Sequence, residues 1–251
     1  MERFEKFKDI ILNKAKEERA CKEQYQRALK SGTFEDLISI IKDNFQWSIN
    51  HKIIDPILIK EYKEEFHGNG ICCNENICNG FLLATGNATV EAYGNATVRA
   101  YDNATVRATG NATVEAYDNA TVRATGNATV EAYGNATVEA TGNATVRAYD
   151  NATVRAYDNA TVEATGNATV RAYDNATVRA TGNAYIYSYY IIECKLKDNA
   201  VYRLISENKI FYPEETAINI EKQTTHKTRS QWKERISTKT SKCTSPAQKT
   251  T

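Results

Sequence analysis

The sequence predicts a mainly β protein, a two-sided parallel β-solenoid (β-helix) of about 16 residues per coil with an N-terminal α-helical cap. Three observations carry this expectation. Asparagine recurs every eighth residue from Asn87 to Asn183, thirteen times, and Asn199 keeps the register. Inside each octapeptide, Ala, Val and Ala alternate with Thr and Glu or Arg. The variable positions match best sixteen residues apart.

The chain divides into 1–80, an α-helical cap or recognition segment; 81–212, the octapeptide solenoid with degenerate C-terminal capping coils; and 213–251, a basic disordered tail. In the first part, residues 2–30 read as one helix with Phe4, Phe7, Ile11, Leu12, Tyr25 and Leu29 near one face. Ser31-Gly32 ends it. Thr33-Phe34-Glu35-Asp36 opens a second helix as a capping-box variant, with Leu37, Ile38, Ile40, Ile41 and Phe45 behind it. Asp55-Pro56 starts a third, with proline at the first helical position, running to about Phe66.

The octapeptide reads [Thr/Tyr]-[Gly/Asp]-Asn-Ala-Thr-Val-[Glu/Arg]-Ala. A fixed period of this kind builds a stack in which each unit buries its apolar face against its neighbours. A period of two is a strand with one buried face. Val90, Val98 and Val106 therefore point inward with alanines such as Ala88 and Ala92, while Thr89, Glu91 and Tyr93 point outward. Gly-Asn or Asp-Asn makes the corner, because these residues tolerate positive φ most cheaply. The asparagines Asn87, Asn95, Asn103, Asn111, Asn119 and Asn127 are expected to turn inward as a structural ladder, their amides bonding between coils.

The coil size follows from the variable positions. At the Glu/Arg position, charges sixteen apart are opposite in seven of ten cases, but those twenty-four apart in only two of nine. Like charges directly opposed on adjacent strands destabilise, which disfavours three octapeptides per coil. At the Tyr/Thr position, identity is kept in seven of eleven cases at spacing sixteen and two of twelve at spacing eight. Two octapeptides per coil then place Tyr101, Tyr117, Tyr133 and Tyr149 in one ladder and Thr109, Thr125 and Thr141 in another. These seven residues form the candidate binding face. Beyond the perfect copies, Ile186, Cys194, Tyr202 and Ile210 replace Val, and Ser188, Leu196, Leu204 and Tyr212 replace the last Ala, which would widen and close the end.

Composition excludes most chemistry. Residues 84–184 contain no Lys, His, Cys, Ser, Phe, Trp, Leu, Ile or Pro, so they offer no nucleophile–base pair. Their carboxylates sit at regular surface positions, without the cleft that would separate two pKa values. No enzyme activity and no cofactor are expected. His67, Cys72, Cys73 and Cys78 depart from zinc spacing, so buried small hydrophobes are the preferred reading and no metal is assigned. The start, Met1 to Lys6, is charged, and no run approaches the ~18 apolar residues of a membrane span. A cytoplasmic location with reduced cysteines is expected, which makes the twelve Asn-Ala-Thr sequons incidental. Residues 219–251 carry eight basic residues against two acidic ones, but nucleic acid is the weaker reading of that tail.

The run Tyr93-Gly94-Asn95-Ala96-Thr97-Val98-Arg99-Ala100 and its copies resemble uncharacterised bacterial and phage octapeptide-repeat proteins, which place a short helical segment before the repeat. The resemblance implies a fold and an origin but no activity. A more distant similarity is to ice-nucleation proteins, and it implies an ice-ordering face of paired Thr rows. Here each strand places Glu or Arg two residues after its Thr, and hydrated charges spoil such a lattice. The leading expectation is a non-catalytic scaffold or protein-binding module with an unidentified protein partner. Ice binding, or a nucleic-acid adaptor acting through the tail, is the alternative.

Overall fold

The computed structural model describes residues 2–76 and 79–213. Cys78 and the tail from residue 214 onward lie outside the described residues. Six helices come first: α1 (Glu2–Glu17), α2 (Lys22–Lys30), α3 (Phe34–Asp43), α4 (Phe45–Asn50), α5 (Pro56–Glu61) and α6 (Lys63–Gly68).

Each helix expected from the sequence is divided once. The 2–30 helix breaks after Glu17, where Arg19 takes φ 55° and the Ala20 N–H reaches back to Ala15 O at 2.8 Å. The break folds α2 back so that Ala28 joins the core around Phe7 and Ile11, while Leu29 is exposed rather than on the buried face. An unbroken helix, rising 1.5 Å per residue, would carry α2 away from that core. The second helix breaks at Asn44, which puts Phe45 at the start of α4. The third breaks at Tyr62, between α5 and α6.

The caps read from the sequence are present in atomic detail. Thr33 Oγ1 accepts the Asp36 N–H at 3.1 Å. The Asp36 carboxylate reaches one residue further than in a standard box and accepts the Gly32 N–H at 3.3 Å. Asp55 Oδ1 accepts the Leu58 N–H at 2.8 Å ahead of Pro56. The helical core of Phe7, Leu37, Ile38, Ile59 and Phe66 runs on into Ile71 and Leu83 of the solenoid.

The solenoid starts with β1 (Ile71–Cys73) and β2 (Phe81–Ala84), followed by β3 to β14, one strand per octapeptide from Thr89–Ala92 to Thr177–Ala180. Then come β15 (Tyr185–Ser188), β16 (Glu193–Leu196), β17 (Val201–Leu204) and β18 (Lys209–Phe211). They form two nine-stranded sheets. Sheet A runs β1-β2-β4-β6-β8-β10-β12-β14-β16, and sheet B runs β18-β17-β15-β13-β11-β9-β7-β5-β3. Thr145 faces Thr161 and Val146 faces Val162 in parallel register, so one coil is sixteen residues, two octapeptides.

Parity assigns the faces as the alternation requires. Val98, Ala100, Val106 and Ala108 and their equivalents are fully buried between the sheets. Each such Val removes apolar surface worth ~1.5 kcal/mol or more from water. Across the perfect octapeptides, Ala and Val alone fill the core.

Corners carry their own bonding. At the Gly/Asp position φ is positive throughout, for example 58° at Asp102 and 75° at Gly110. A Cβ at Gly110 would lie 3.2 Å from Gly94 O, so glycine relieves both strain and crowding there. Aspartate brings a compensation. Its carboxylate accepts the corner N–H of the preceding coil: Asp102 from Gly86 at 2.9 Å, Asp158 from Gly142 at 2.9 Å, and Asp198 from Gly182 at 3.0 Å.

The expected register ends early. Ile186, Cys194 and Tyr202 are fully buried at the Val position, and Ser188, Leu196 and Leu204 are buried at the last Ala position. Ile210 and Tyr212, by contrast, are exposed. The chain turns at Ile205–Asn208, and β18 folds back antiparallel on β17, pairing Tyr202 with Phe211. The Phe211 ring stacks on Tyr202 at 5.4 Å. An antiparallel strand reverses the sense of the chain, so the octapeptide parity cannot pass through it.

Candidate functional site

The two corner columns hold the residues read as a binding face. Tyr101, Tyr117, Tyr133 and Tyr149 follow strands of sheet A and stack with centroids 4.8–5.0 Å apart and planes within 9° of parallel. Thr109, Thr125 and Thr141 follow strands of sheet B, on the opposite edge. All seven are half-buried. The columns then exchange character: Tyr157 and Tyr173 stack at 4.4 Å on the threonine edge, while Thr165 and Thr181 continue the tyrosine edge.

Several of these tyrosines are already engaged by the protein. Tyr101 donates to Asn50 Oδ1 at 3.3 Å, Tyr117 to Glu115 at 2.6 Å, and Tyr133 to Glu131 at 2.7 Å. Burial, followed by the neighbouring carboxylate, pushes the Tyr117 and Tyr133 phenols well above their ordinary range.

Asn87, Asn95, Asn103, Asn111, Asn119 and Asn127 are exposed, which corrects the inward orientation expected for them. The following alanine, such as Ala96 or Ala104, fills the inward slot. An amide inside an Ala/Val core would lack partners, at a cost of ~1–3 kcal/mol. The asparagines instead bond along the surface. From Asn103 on, side-chain amides donate to the Asn one coil earlier, as in Asn103 to Asn87 and Asn111 to Asn95, both at 3.3 Å.

The outward charged rows differ between the sheets. On sheet A, Arg99 pairs with Glu115 at 2.5 Å, and Arg147 lies between Glu131 at 3.0 Å and Glu163 at 3.4 Å. The like pair Glu115 and Glu131 is relieved, since each carboxylate holds an arginine and a tyrosine hydroxyl. The N-terminal end of this face is also covered. Leu83 and Arg99 are buried at outward positions, and Phe45 of α4 packs on Phe81 at 4.6 Å. Arg99 Nε has no hydrogen-bond partner.

Sheet B lies open. Its row runs Glu91, Arg107, Arg123, Glu139, Arg155, Arg171, Tyr187, Arg203. Arg107 and Arg123 face each other across adjacent strands but lean apart to Glu91 and Glu139, each at 3.4 Å. A shallow trough of about 480 Å³ runs along the N-terminal half of this sheet, between the Thr89–Thr137 row and the arginines. Arg155, Arg171 and Arg203 have no carboxylate partner among the described residues. Arg171 lies over the rings of Tyr173 and Tyr187 at 4.9 and 5.7 Å.

Around these three arginines sits a group the candidate face omitted. Tyr185 and Tyr187 occupy the outward positions of β15, and Tyr189 and Tyr190 the following corner. The signal was in the sequence: the outward parity of Thr89 and Glu91, carried into the octapeptide 181–188, turns both strand tyrosines outward, Tyr185 exposed and Tyr187 half-buried.

The other candidates do not assemble. His67 Nε2 contacts Glu75 at 3.2 Å, and no group of three His, Cys, Asp or Glu converges on a metal position among the described residues. Burial raises the Cys73 thiol to about 11 and that of Cys194 to about 12. A mainly apolar cleft of about 230 Å³ opens among α1 to α4, lined by Ile11, Tyr25, Leu37 and Trp47. Each octapeptide strand carries one outward Thr beside one outward charge, so no strand presents a Thr pair. No helix of the described residues is long and apolar enough to cross a membrane.

These features define a parallel β-solenoid repeat protein of about eight coils, closed at one end by helices and at the other by a hairpin. No family model, curated protein or solved structure matches the chain.

Proposed function

We propose that the protein is a non-catalytic scaffold that binds another protein through the outward rows of the solenoid, chiefly those of sheet B. The observation that carries this reading is the asymmetry between the two faces. Sheet A pairs its charges from Arg99 to Arg179, with one further like step at Lys195, and lies partly under helices. Sheet B leaves Arg107, Arg123, Arg155, Arg171 and Arg203 exposed, with a trough along its N-terminal half. Arginine and tyrosine are the side chains that concentrate binding energy at protein interfaces. A rigid stack also presents them without ordering a loop, which keeps the entropic cost of association low.

Affinity capture from host lysate with the full chain tests this. A partner held by the native chain and lost from Arg107→Glu/Arg123→Glu or from Arg155→Glu/Arg171→Glu, but kept by Tyr117→Thr/Tyr133→Thr, supports the sheet B surface. Equal capture by all three variants removes the scaffold reading.

A further inference from the structure

A repeated surface gives a partner no unique address, yet sheet B has one place where the repeat is interrupted outwardly. Among the described residues, six of the nine exposed large hydrophobics, Tyr185, Tyr189, Tyr190, Ile205, Ile210 and Tyr212, fall within 185–212. The inward changes nearby have a packing reason: Ser188 and Tyr202 share a buried hydrogen bond of 2.7 Å. The outward tyrosine rings touch one another and Arg171, and add nothing to the buried core. Tyr189 and Tyr190 are 54% and 75% exposed, and the corner column continues from Tyr189 to the exposed Ile205.

The same place carries uncompensated positive charge. Arg155 and Arg171 face each other on adjacent strands, and Arg203 faces Tyr187 two coils below Arg155's neighbour. Directly opposed like charges are unfavourable and call for an anion between them. Resting on the scaffold reading above, we infer that this Arg/Tyr cluster is the docking site for an acidic protein segment, whose carboxylates bridge Arg155, Arg171 and Arg203 while its apolar side chains lie on Tyr185, Tyr189 and Ile205.

Charge alone would equally attract a single-stranded nucleic acid, but such binding relies on free ring faces for base stacking. Here most of the faces are taken, apart from those of Tyr189 and Tyr190, which meet edge to face at 5.0 Å. Tyr157 and Tyr173 cover each other at 4.4 Å, Arg171 lies over Tyr173 and Tyr187, and Tyr185 and Tyr187 stack at 5.7 Å. What remains outward is hydroxyls, ring edges and guanidinium groups, which suit carboxylates and aliphatic side chains. Guanidinium pairs with carboxylate in two-pronged geometry.

The test uses the full chain, with a Glu-rich peptide of about twelve residues carrying two leucines as probe and fluorescence anisotropy as readout. An oligothymidylate of equal charge runs beside it. The variants return the outward positions to the repeat consensus, Tyr185→Thr with Tyr189→Thr, or reverse charge, Arg155→Glu with Arg171→Glu. Circular dichroism and unfolding midpoints establish that they fold. The expected result is peptide binding that weakens at least tenfold in both variants and is unchanged in Arg179→Glu, an exposed arginine on sheet A. No peptide binding, or equal loss in Arg179→Glu, overturns the site. Tighter binding of the oligothymidylate through the same residues overturns the choice of partner. Lysate capture that depends on Arg107 and Arg123, with these variants silent, would leave the scaffold reading intact and remove this site alone.

Discussion

Sheet A and sheet B are made from one octapeptide, with the same valines inside and the same threonines outside, yet they present different chemistry. On sheet A the row from Arg99 to Arg179 is a chain of ion pairs, with two tyrosine hydroxyls stabilising the single like-charged step. On sheet B the pairing stops at Glu139, and the row ends in arginines and tyrosines. The backbone does not distinguish them. The difference lies in which octapeptide carries Glu, and in the helices packing on only one side. One octapeptide can thus build one face whose charges pair along most of its row and another whose arginines stand open.

The largest effect is expected where sheet A meets the helical unit. Gly80 enters β2 with φ 100°, and a Cβ there would sit 2.3 Å from Gly70 O. Gly80→Ala should lower unfolding stability by ~3 kcal/mol or more, seen as a shifted urea midpoint. Next comes the contrast between two arginines at equivalent outward positions. The Arg99 side chain is 5% exposed and that of Arg107 54%. Arg99→Ala should cost ~2–3 kcal/mol by stranding Glu115, whereas Arg107→Ala should cost under ~1 kcal/mol. Equal losses in urea would erase the distinction between the faces.

The corner columns sharpen the comparison at smaller scale. Tyr133 stacks on both Tyr117 and Tyr149, so Tyr133→Thr should cost ~1–2 kcal/mol. Thr141→Tyr on the other edge should gain under ~1 kcal/mol by stacking on Tyr157. The smallest effect is pH-dependent. Burial and Glu115 raise the Tyr117 phenol, and burial and Glu131 raise that of Tyr133. Stability from a folded pKa raised above its unfolded value is complete below about pH 10 and is lost as pH climbs beyond it. Phenolate absorbance and unfolding recorded together should show these two ionising late in the folded protein, and Tyr117→Phe should reduce the alkaline loss. Early ionisation would mean that their hydroxyls do not hold the carboxylates.

Much of the architecture was legible because the repeat reports it many times over. Thirteen asparagines give the period, Ala-Thr-Val-Glu-Ala gives the parity, and the charge pattern at sixteen residues gives the coil. Most of what escaped was non-periodic. The turn at Arg19 is made by a positive φ at a residue with no such preference, and nothing local announces it. Reversal of the chain after Leu204 depends on Phe211 finding Tyr202, a contact between positions of opposite parity. The asparagines face outward because the neighbouring alanines take the core, a competition that the Asn position alone does not reveal. For the site, the Tyr101 ladder was readable as a column, but its burial beside Asn50 comes from helices whose placement is tertiary. The Tyr185–Tyr190 group was readable by parity.

The sixteen-residue coil also governs how such a gene can change length. Loss of two neighbouring octapeptides, residues 105–120 for instance, would shorten the stack by ~4.8 Å and return every later side chain to its own sheet. Loss of one octapeptide would instead hand each later strand to the opposite sheet, carrying Tyr185, Tyr187 and the arginines around to the helix-bearing side. Recombination between copies is therefore tolerated in even steps. An odd step keeps every remaining strand, valine and corner, and still exchanges what the open sheet and the helix-bearing sheet display.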